Sequence, residues 1–169
     1  MKKITIGLDK TSVRHAINDL KQYERSMLRK NDLFVKRLGE LGSTVAKQLI
    51  AAADGDASKR YHIEVVPRSF GEYSQATIKL DGEDILFIEF GSGIHYNPTD
   101  VEHAKMFGYG IGTYPGQKHA FDPDGWWYRD STGVSQHSYG TRATAPMLNA
   151  SRTIIMEVRR IAREVYGTN

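Results

Sequence analysis

The 169-residue chain contains no cysteine and no long apolar run. Without cysteine there are no disulfide bonds, no thiolate nucleophiles and no cysteine-ligated zinc sites, which fits a protein that works in a reducing compartment. No apolar stretch approaches the roughly 20 residues that span a bilayer, and the first residues lack the apolar core of a secretory signal. We therefore expect a protein that is made and used without export.

The sequence motifs of common enzymes are also missing. There is no His-Glu-x-x-His, no Gly-x-Ser-x-Gly and no phosphate-binding glycine loop. The residues therefore give no positive sign of an enzyme, although acid–base catalysis by two carboxylates stays open, and we expect no cofactor and no functional metal site. One metal hypothesis stays open, because zinc takes three or four histidine or carboxylate ligands: a metal-dependent hydrolase that uses His95, His103 and His119.

The composition is that of an ordinary globular protein, with 40% hydrophobic and 25% charged residues. Its length suits a single domain over residues 1–169. The charge is uneven: residues 1–60 have 13 Lys or Arg against 7 Asp or Glu, whereas residues 61–140 have 5 against 11. Residues 141–169 are again basic, with 5 against 2. Complementary faces of this kind favour assembly between copies of one chain.

Apolar spacing predicts two N-terminal helices within about residues 10–53, with Asp9 or Ser12 as the N-cap and a break at Asn31-Asp32. A short strand is predicted before them, at residues 3–8. Gly39 and Gly42 in the second helix would admit close contact with another helix. The apolar positions of the two helices are Val13, Ile17, Leu20 and Met27, then Phe34, Leu38, Leu41, Val45 and Leu49.

Period-two alternation predicts strands within about residues 60–91. The first would end at Pro67, and the second would span residues 75–80. Asp81-Gly82 then predicts a hairpin turn, and the apolar residues 85–90 predict a central strand. Within it, Glu89 would face solvent at the sheet edge or pair with a basic residue such as Arg142 or Arg152.

Residues 92–140 form a long insertion that is rich in glycine, aromatic residues and histidine. A long connection without periodicity is often functional. Its aromatic centre, Trp126-Trp127-Tyr128, has acidic neighbours that would repel phosphate, so we expect a protein interface or local packing there, with short strands near 126–128 and 136–139.

A final helix is predicted over about residues 144–166, with Thr144 as the N-cap and Pro146 in the first turn. Together these elements predict an α+β fold with a small, mainly antiparallel sheet and a C-terminal helix packed on it. The helix also supports an alternative function, a DNA-binding accessory protein. Its basic residues are Arg152, Arg159, Arg160 and Arg163.

Three segments resemble a family of tail-completion and head–tail joining proteins of long-tailed bacteriophages. Residues 85–93, ILFIEFGSG, look like the family's apolar–Glu–apolar–Gly–Ser–Gly stretch. Residues 144–150, TAPMLNA, look like the proline-led start of its last helix, and residues 34–42, FVKRLGELG, look like its N-terminal helix. The chain departs from the family at Met147, where many members have Phe, and in its long insertion.

The resemblance implies a structural protein of the virion, assembled in the host bacterial cytoplasm, without catalysis. It implies a homo-oligomeric ring, sixfold by family analogy, at the neck between head and tail. Implied partners are other neck, tail-terminator or tail-tube proteins, with DNA as passing cargo and no membrane. We expect the insertion to make subunit or partner contacts. The predicted interface and structural residues are Glu89, Phe90, Gly91, Gly93, Trp126, Trp127, Tyr128, Pro146, Met147 and Arg152.

Overall fold

The computed structural model describes residues 6–53, 61–82, 84–97, 102–111, 117–130 and 132–167. These residues form an α+β fold, as the sequence predicts. None of the helices among them is long and apolar enough to cross a membrane. The elements in chain order are α1 (Lys10–Ala51), β1 (Tyr61–Ser69), β2 (Ser74–Gly82), α2 (Ile85–Phe90), α3 (Glu102–Met106), β3 (Trp126–Arg129), β4 (Ser135–Ser138) and α4 (Pro146–Tyr166).

One continuous helix, α1, stands where two helices are predicted. Asn31 and Asp32 do not break it, because tertiary partners satisfy their side chains: Asn31 accepts a hydrogen bond from the Tyr166 hydroxyl at 2.7 Å, and Asp32 accepts one from Ser74 at 2.7 Å. Such residues interrupt helices when they bond to nearby backbone instead. The predicted cap at Asp9 is confirmed, since its carboxylate accepts the N–H groups of residues 11 and 12. Of the strand predicted at residues 3–8, residues 3–5 lie outside the described residues and the rest is not strand.

The hairpin of β1 and β2 lies one turn earlier than the sequence predicts. Its turn is at residues 70–73, where the Phe70 N–H donates to the Tyr73 carbonyl at 2.9 Å and Gly71 has φ 81°. Asp81 and Gly82 are therefore strand residues opposite His62 and Tyr61. The first strand also continues past Pro67 to Ser69. A two-stranded sheet has only edge strands, and an edge tolerates the missing N–H of proline.

Residues 85–90 form the short helix α2, so the predicted central strand is wrong. Ile85, Ile88 and Glu89 are buried, and Leu86 is exposed. That is the three- and four-residue spacing of a helical face, which a short apolar run does not distinguish from a buried strand. The main apolar cluster forms where α2 meets the end of α1, at Ile50, Ala53, Ile85 and Ile88, with Tyr61 and Leu80 packed against it.

Two glycines of α1 allow the sheet and the last helix to approach its backbone closely. A Cβ atom at Gly39 would lie 2.6 Å from Cγ1 of Val65 in β1. At Gly42 it would lie 2.6 Å from Cδ1 of Ile78 in β2 and 2.7 Å from Cδ1 of Ile154 in α4. The predicted close contact with another helix is thus confirmed at Gly42, where α1 meets β2 and α4, whereas Gly39 contacts the sheet.

The insertion holds more regular structure than its composition suggests. It contains α3 and the antiparallel hairpin of β3 and β4, in which Trp127 is opposite His137. This hairpin confirms the short strands expected near residues 126–128 and 136–139. The two ends of the insertion are joined by a bridge between Ser92 and Thr141, so the insertion leaves and rejoins the body at one place.

Replacement of Gly42 by leucine should destabilise the protein by about 1–3 kcal/mol, because the new side chain must displace Ile78 and Ile154. The gain in helix propensity of up to about 1 kcal/mol offsets this only in part. The matched control is Gln48→Leu, at an exposed position of the same helix. Urea unfolding measures both changes, and equal stability of the two variants would contradict the close packing.

Candidate functional site

The carboxylate of Glu89 lies buried at the first turn of α4. The residue is 5% exposed. Its two oxygens accept the N–H groups of Met147 at 2.9 Å and Leu148 at 3.1 Å. The expectation that Glu89 faces solvent or pairs with Arg142 or Arg152 is therefore wrong. Arg142 is exposed, and Arg152 pairs with Glu102 at 3.3 Å.

Glu89 replaces an N-cap side chain that the local sequence does not provide. The N-cap position is Ala145, which has φ 46° and no capping group, and Pro146 has no N–H to satisfy. The next two N–H groups bind Glu89, and that of Asn149 donates to the Ala145 carbonyl at 3.0 Å. A carboxylate also complements the positive end of the helix dipole. The first turn is thus satisfied by α2, from 58 residues earlier in the chain.

The predicted cap at Thr144 is wrong, because the turn into α4 uses backbone groups of that residue. The N–H groups of Thr144 and Ala145 both donate to the Ile88 carbonyl, at 2.9 and 3.2 Å. This pairing fixes the chain in the left-handed conformation that Ala145 adopts. The hydroxyl of Thr144 is buried without a hydrogen-bond partner. The start of α4 is therefore held by the main-chain carbonyl of Ile88 and by the side chain of Glu89.

His103 of α3 is the third partner of Glu89. Its Nε2 lies 2.7 Å from Glu89 Oε1, and both side chains are at most 10% exposed. The imidazole stacks on Phe90 with ring centroids 4.9 Å apart and meets Phe107 edge-on at 5.3 Å. The low exposure of both side chains strengthens the hydrogen bond between them, because little water competes for it. His103 therefore ties α3 to the joint between α2 and α4.

Asn97 organises the neighbouring crossover of the chain. Its side-chain N–H₂ group donates to the Thr141 carbonyl at 2.9 Å, and its oxygen accepts the Ala143 N–H at 3.2 Å. A Cβ atom at Gly91, which has φ 78°, would lie 2.8 Å from this amide. Gly93 has φ 72° and lies against the Trp126 ring. Both glycines, with positive φ, allow the chain to turn sharply as it leaves α2.

Sequence reasoning identified Glu89, Gly91, Gly93 and Pro146 but missed Asn97 and the pairing of Glu89 with His103. A carboxylate in an apolar run signals a buried partner. Nothing in the spacing selects one histidine among six, or one amide in a loop without periodicity.

The three histidines of the metal hypothesis lie in different settings. His95 packs against Tyr96 and Tyr139, His103 binds Glu89, and His119 is exposed. The part of the chain that the structure describes contains no group of three or more His, Asp or Glu placed to hold a metal ion. The buried pair of Glu89 and His103 is also occupied by helix N–H groups, so its geometry serves to position α4.

The arginines of α4 are interleaved with carboxylates. Arg160 pairs with Glu157 and Glu164, which raises the pKa of its guanidinium. Glu164 also lies 3.5 Å from Arg37 of α1, and Arg152 pairs with Glu102. These exposed pairs partly neutralise the surface that the DNA-binding hypothesis would use, and phosphate contacts need free positive charge.

The hairpin of β3 and β4 presents aromatic rings to solvent. Trp126 packs inward on Gly93, whereas Trp127 is 72% and Tyr128 48% exposed. We use the term aromatic row for five rings in successive contact at centroid distances of 4.7–5.4 Å: Trp127, His137, Tyr139, His95 and Tyr96. Exposed aromatic surface of this kind is typical of protein interfaces.

No family model matches this chain, and neither a curated protein nor a solved structure is detectably similar to it.

The Glu89→Ala variant should lose on the order of 3 kcal/mol of unfolding free energy, because two helix N–H groups and His103 lose a charged partner inside the protein. Glu89→Gln should lose less, since one acceptor oxygen remains. The control is Glu102→Ala, whose side chain is 84% exposed in its pair with Arg152 and which should change stability by less than about 0.5 kcal/mol. Similar losses for Glu89→Ala and Glu102→Ala in urea unfolding would contradict the capping role.

The turn between β3 and β4 should loosen in acid through Asp130. Hydrogen bonds from the side chains of Thr132 and Gln136 lower the pKa of its carboxyl from 3.8 to about 2. A lowered pKa in the folded state means that the ionised form stabilises the turn above the unfolded value, and that this contribution is lost as pH falls from 3.8 through about 2.

Tryptophan emission measures this change directly, because both tryptophans of the chain lie in β3. The expected emission change between pH 4 and pH 2 should be absent in Asp130→Asn and retained in Asp124→Asn, while far-ultraviolet circular dichroism follows the helices. An identical acid transition in Asp130→Asn would refute the role of Asp130.

Proposed function

We propose that this chain is a non-enzymatic structural subunit of a long-tailed bacteriophage, which completes the tail or joins it to the head as part of a ring. One observation carries the proposal. Residues 85–93 and 144–150, which carry the resemblance, are distant in sequence and form one buried joint through Glu89 and the start of α4.

The inward orientation of the motif residues supports a scaffold role for them. Glu89, Phe90 and Pro146 are all buried, with Pro146 less than 2% exposed. Residues that act on a substrate must reach a cleft, whereas these residues hold α2 and α4 together. The motif thus stabilises the fold, and the same fold can be used at different positions of a virion neck.

The surfaces that remain exposed suit contacts with other protein chains. The aromatic row and the first half of α1 both carry large apolar side chains in solvent, among them Trp127, Leu20 and Ile17 at 72, 52 and 47% exposure. A ring is built from two different faces that meet head to tail in neighbouring subunits. We propose that other neck, tail-terminator or tail-tube proteins bind the same ring and that DNA passes through it as cargo.

Loss of the gene for this chain from its phage should leave filled heads and tails that do not join. Electron microscopy of lysates counts the two classes, and cryo-electron microscopy of complete particles should locate the chain at the neck. Normal numbers of joined particles without the chain would overturn the proposal.

A narrower change tests the hairpin in the same assay. Deletion of the whole insertion is unsuitable, because the insertion also provides Asn97 and His103. The double variant Trp127→Ala/Tyr128→Ala should keep the helices intact by circular dichroism and should reduce joined particles at least about tenfold, the effect of losing one interface anchor. The control is Tyr73→Ala, at a tyrosine that is 57% exposed at the tip of the first hairpin. Equal effects of the two changes would contradict a specific role of the hairpin.

A further inference from the structure

The first part of α1 is mostly exposed to solvent, although Ala16 within it is buried at 4% exposure. We use the term arm for residues 10–25, of which all but Ser12, Ala16 and Asp19 are exposed. Contacts of α1 with α4 are found further along, at Asn31, where the Tyr166 hydroxyl binds, and at Phe34, whose ring lies 5.5 Å from that of Tyr166. The arm has 16 residues, and at 1.5 Å per residue it is about 24 Å long.

The arm continues the apolar stripe by which α1 packs on its own subunit. Val13, Ile17 and Leu20 are spaced by four and three residues, and the same spacing leads through Met27 to Phe34, Leu38, Leu41 and Val45. The later positions are half-buried, whereas Val13, Ile17 and Leu20 are 42, 47 and 52% exposed. A helix with such a stripe gains most of its stability from packing. The stripe therefore predicts a packing partner for the arm.

The net charge of the arm indicates which surface it binds. The arm has four Lys or Arg against two Asp or Glu, so a second arm beside it would bring like charges together. Residues 121–130 have the opposite balance, with three Asp against one Arg. Trp127, at one end of the aromatic row, belongs to this acidic segment, and the row is exposed at Trp127, Tyr139 and Tyr96, by 72, 47 and 41%.

The aromatic row is long enough to receive the apolar stripe of the arm. The four steps of the row, 4.9, 4.7, 5.4 and 4.8 Å, let it extend up to about 20 Å, whereas Val13 to Leu20 spans about 10 Å of helix. Aliphatic side chains on one surface and aromatic rings on the other form the apolar centre of a contact, and the charges form its rim.

We infer that the arm of one subunit docks on the aromatic row of a second copy of this chain. The contact is head to tail: each subunit offers its arm to one neighbour and its aromatic row to the other, which closes a ring when the rotation between subunits permits. The inference rests on the proposed ring and names the surfaces that form it. It requires only the purified chain, so its test is independent of the neck assay.

Cross-linking between two different variants tests the pairing, because the chain has no cysteine of its own. Leu20→Cys is mixed with Ser135→Cys, an exposed position that shares one face of the hairpin with Trp127 and His137, and a short flexible bismaleimide is added to the full-length proteins. The expected product is the mixed dimer of the two variants. The control mixture contains Gln48→Cys, at an exposed position of α1 outside the arm, and should give far less product.

If the arm binds something other than the aromatic row, the cross-linking gives a different product. Dimers of Leu20→Cys alone would mean that arms pair with each other and would overturn the inference. Absence of any mixed product above the Gln48→Cys control, or a chain that stays monomeric at all concentrations, would overturn it as well. Joined particles without the chain would remove the proposed function and leave the cross-linking result unchanged.

A second measurement follows the strength of association by sedimentation. Leu20→Asp should weaken self-association at least about tenfold, and added salt should weaken it further because the charges of the rim are screened. Leu33→Asp makes the same change on the same helix at 43% exposure and should leave association within about twofold. Equal weakening by both substitutions would overturn the role of the arm.

Discussion

A helix begins with backbone N–H groups that have no partner within it, and in α4 these groups are buried. Glu89 satisfies two of them from α2 and binds His103 of α3 with the same carboxylate. Three helices therefore meet at one side chain. The position of α4 along α1, and with it the contact of Ile154 with Gly42, depends on where this carboxylate fixes the first turn.

A buried carboxylate is costly unless donors surround it. Glu89 has three donors within 3.1 Å. Without its carboxylate, the first turn of α4 would be buried in an apolar setting with no cap. Phe90 stacks on the ring of His103, and Gly91 turns the chain away immediately afterwards. Neighbouring residues of one short motif thus have separate physical tasks: Glu89 caps the helix, Phe90 packs against His103, and Gly91 permits the turn.

The sequence predicts the elements whose signals are local. The alternation over residues 61–66 and 75–80, the Asp9 cap and the Pro146 helix start all appear in the structure because each depends on neighbouring residues. The local turn signal at Asp81-Gly82 was wrong, and most other errors arose where contacts with distant residues determine the local structure. Asn31 and Asp32 remain helical because Tyr166 and Ser74 bind them, and residues 85–90 are helical because α1 and α4 bury one face of them. The partners of Glu89 were likewise set by tertiary contacts.

The bridge between Ser92 and Thr141, with Asn97 bonded across it, brings the two ends of the insertion together. The insertion is therefore a closed loop whose two ends are fixed to the body of the protein at one place. Doubling the length of a flexible loop adds only about 0.6 kcal/mol of closure entropy. Segments between the anchored parts of this loop can thus lengthen or shorten at little thermodynamic expense, provided that His103 and Asn97 keep their places. A scaffold of this kind can vary its outer surface from one homologue to another while the joint beneath it stays the same.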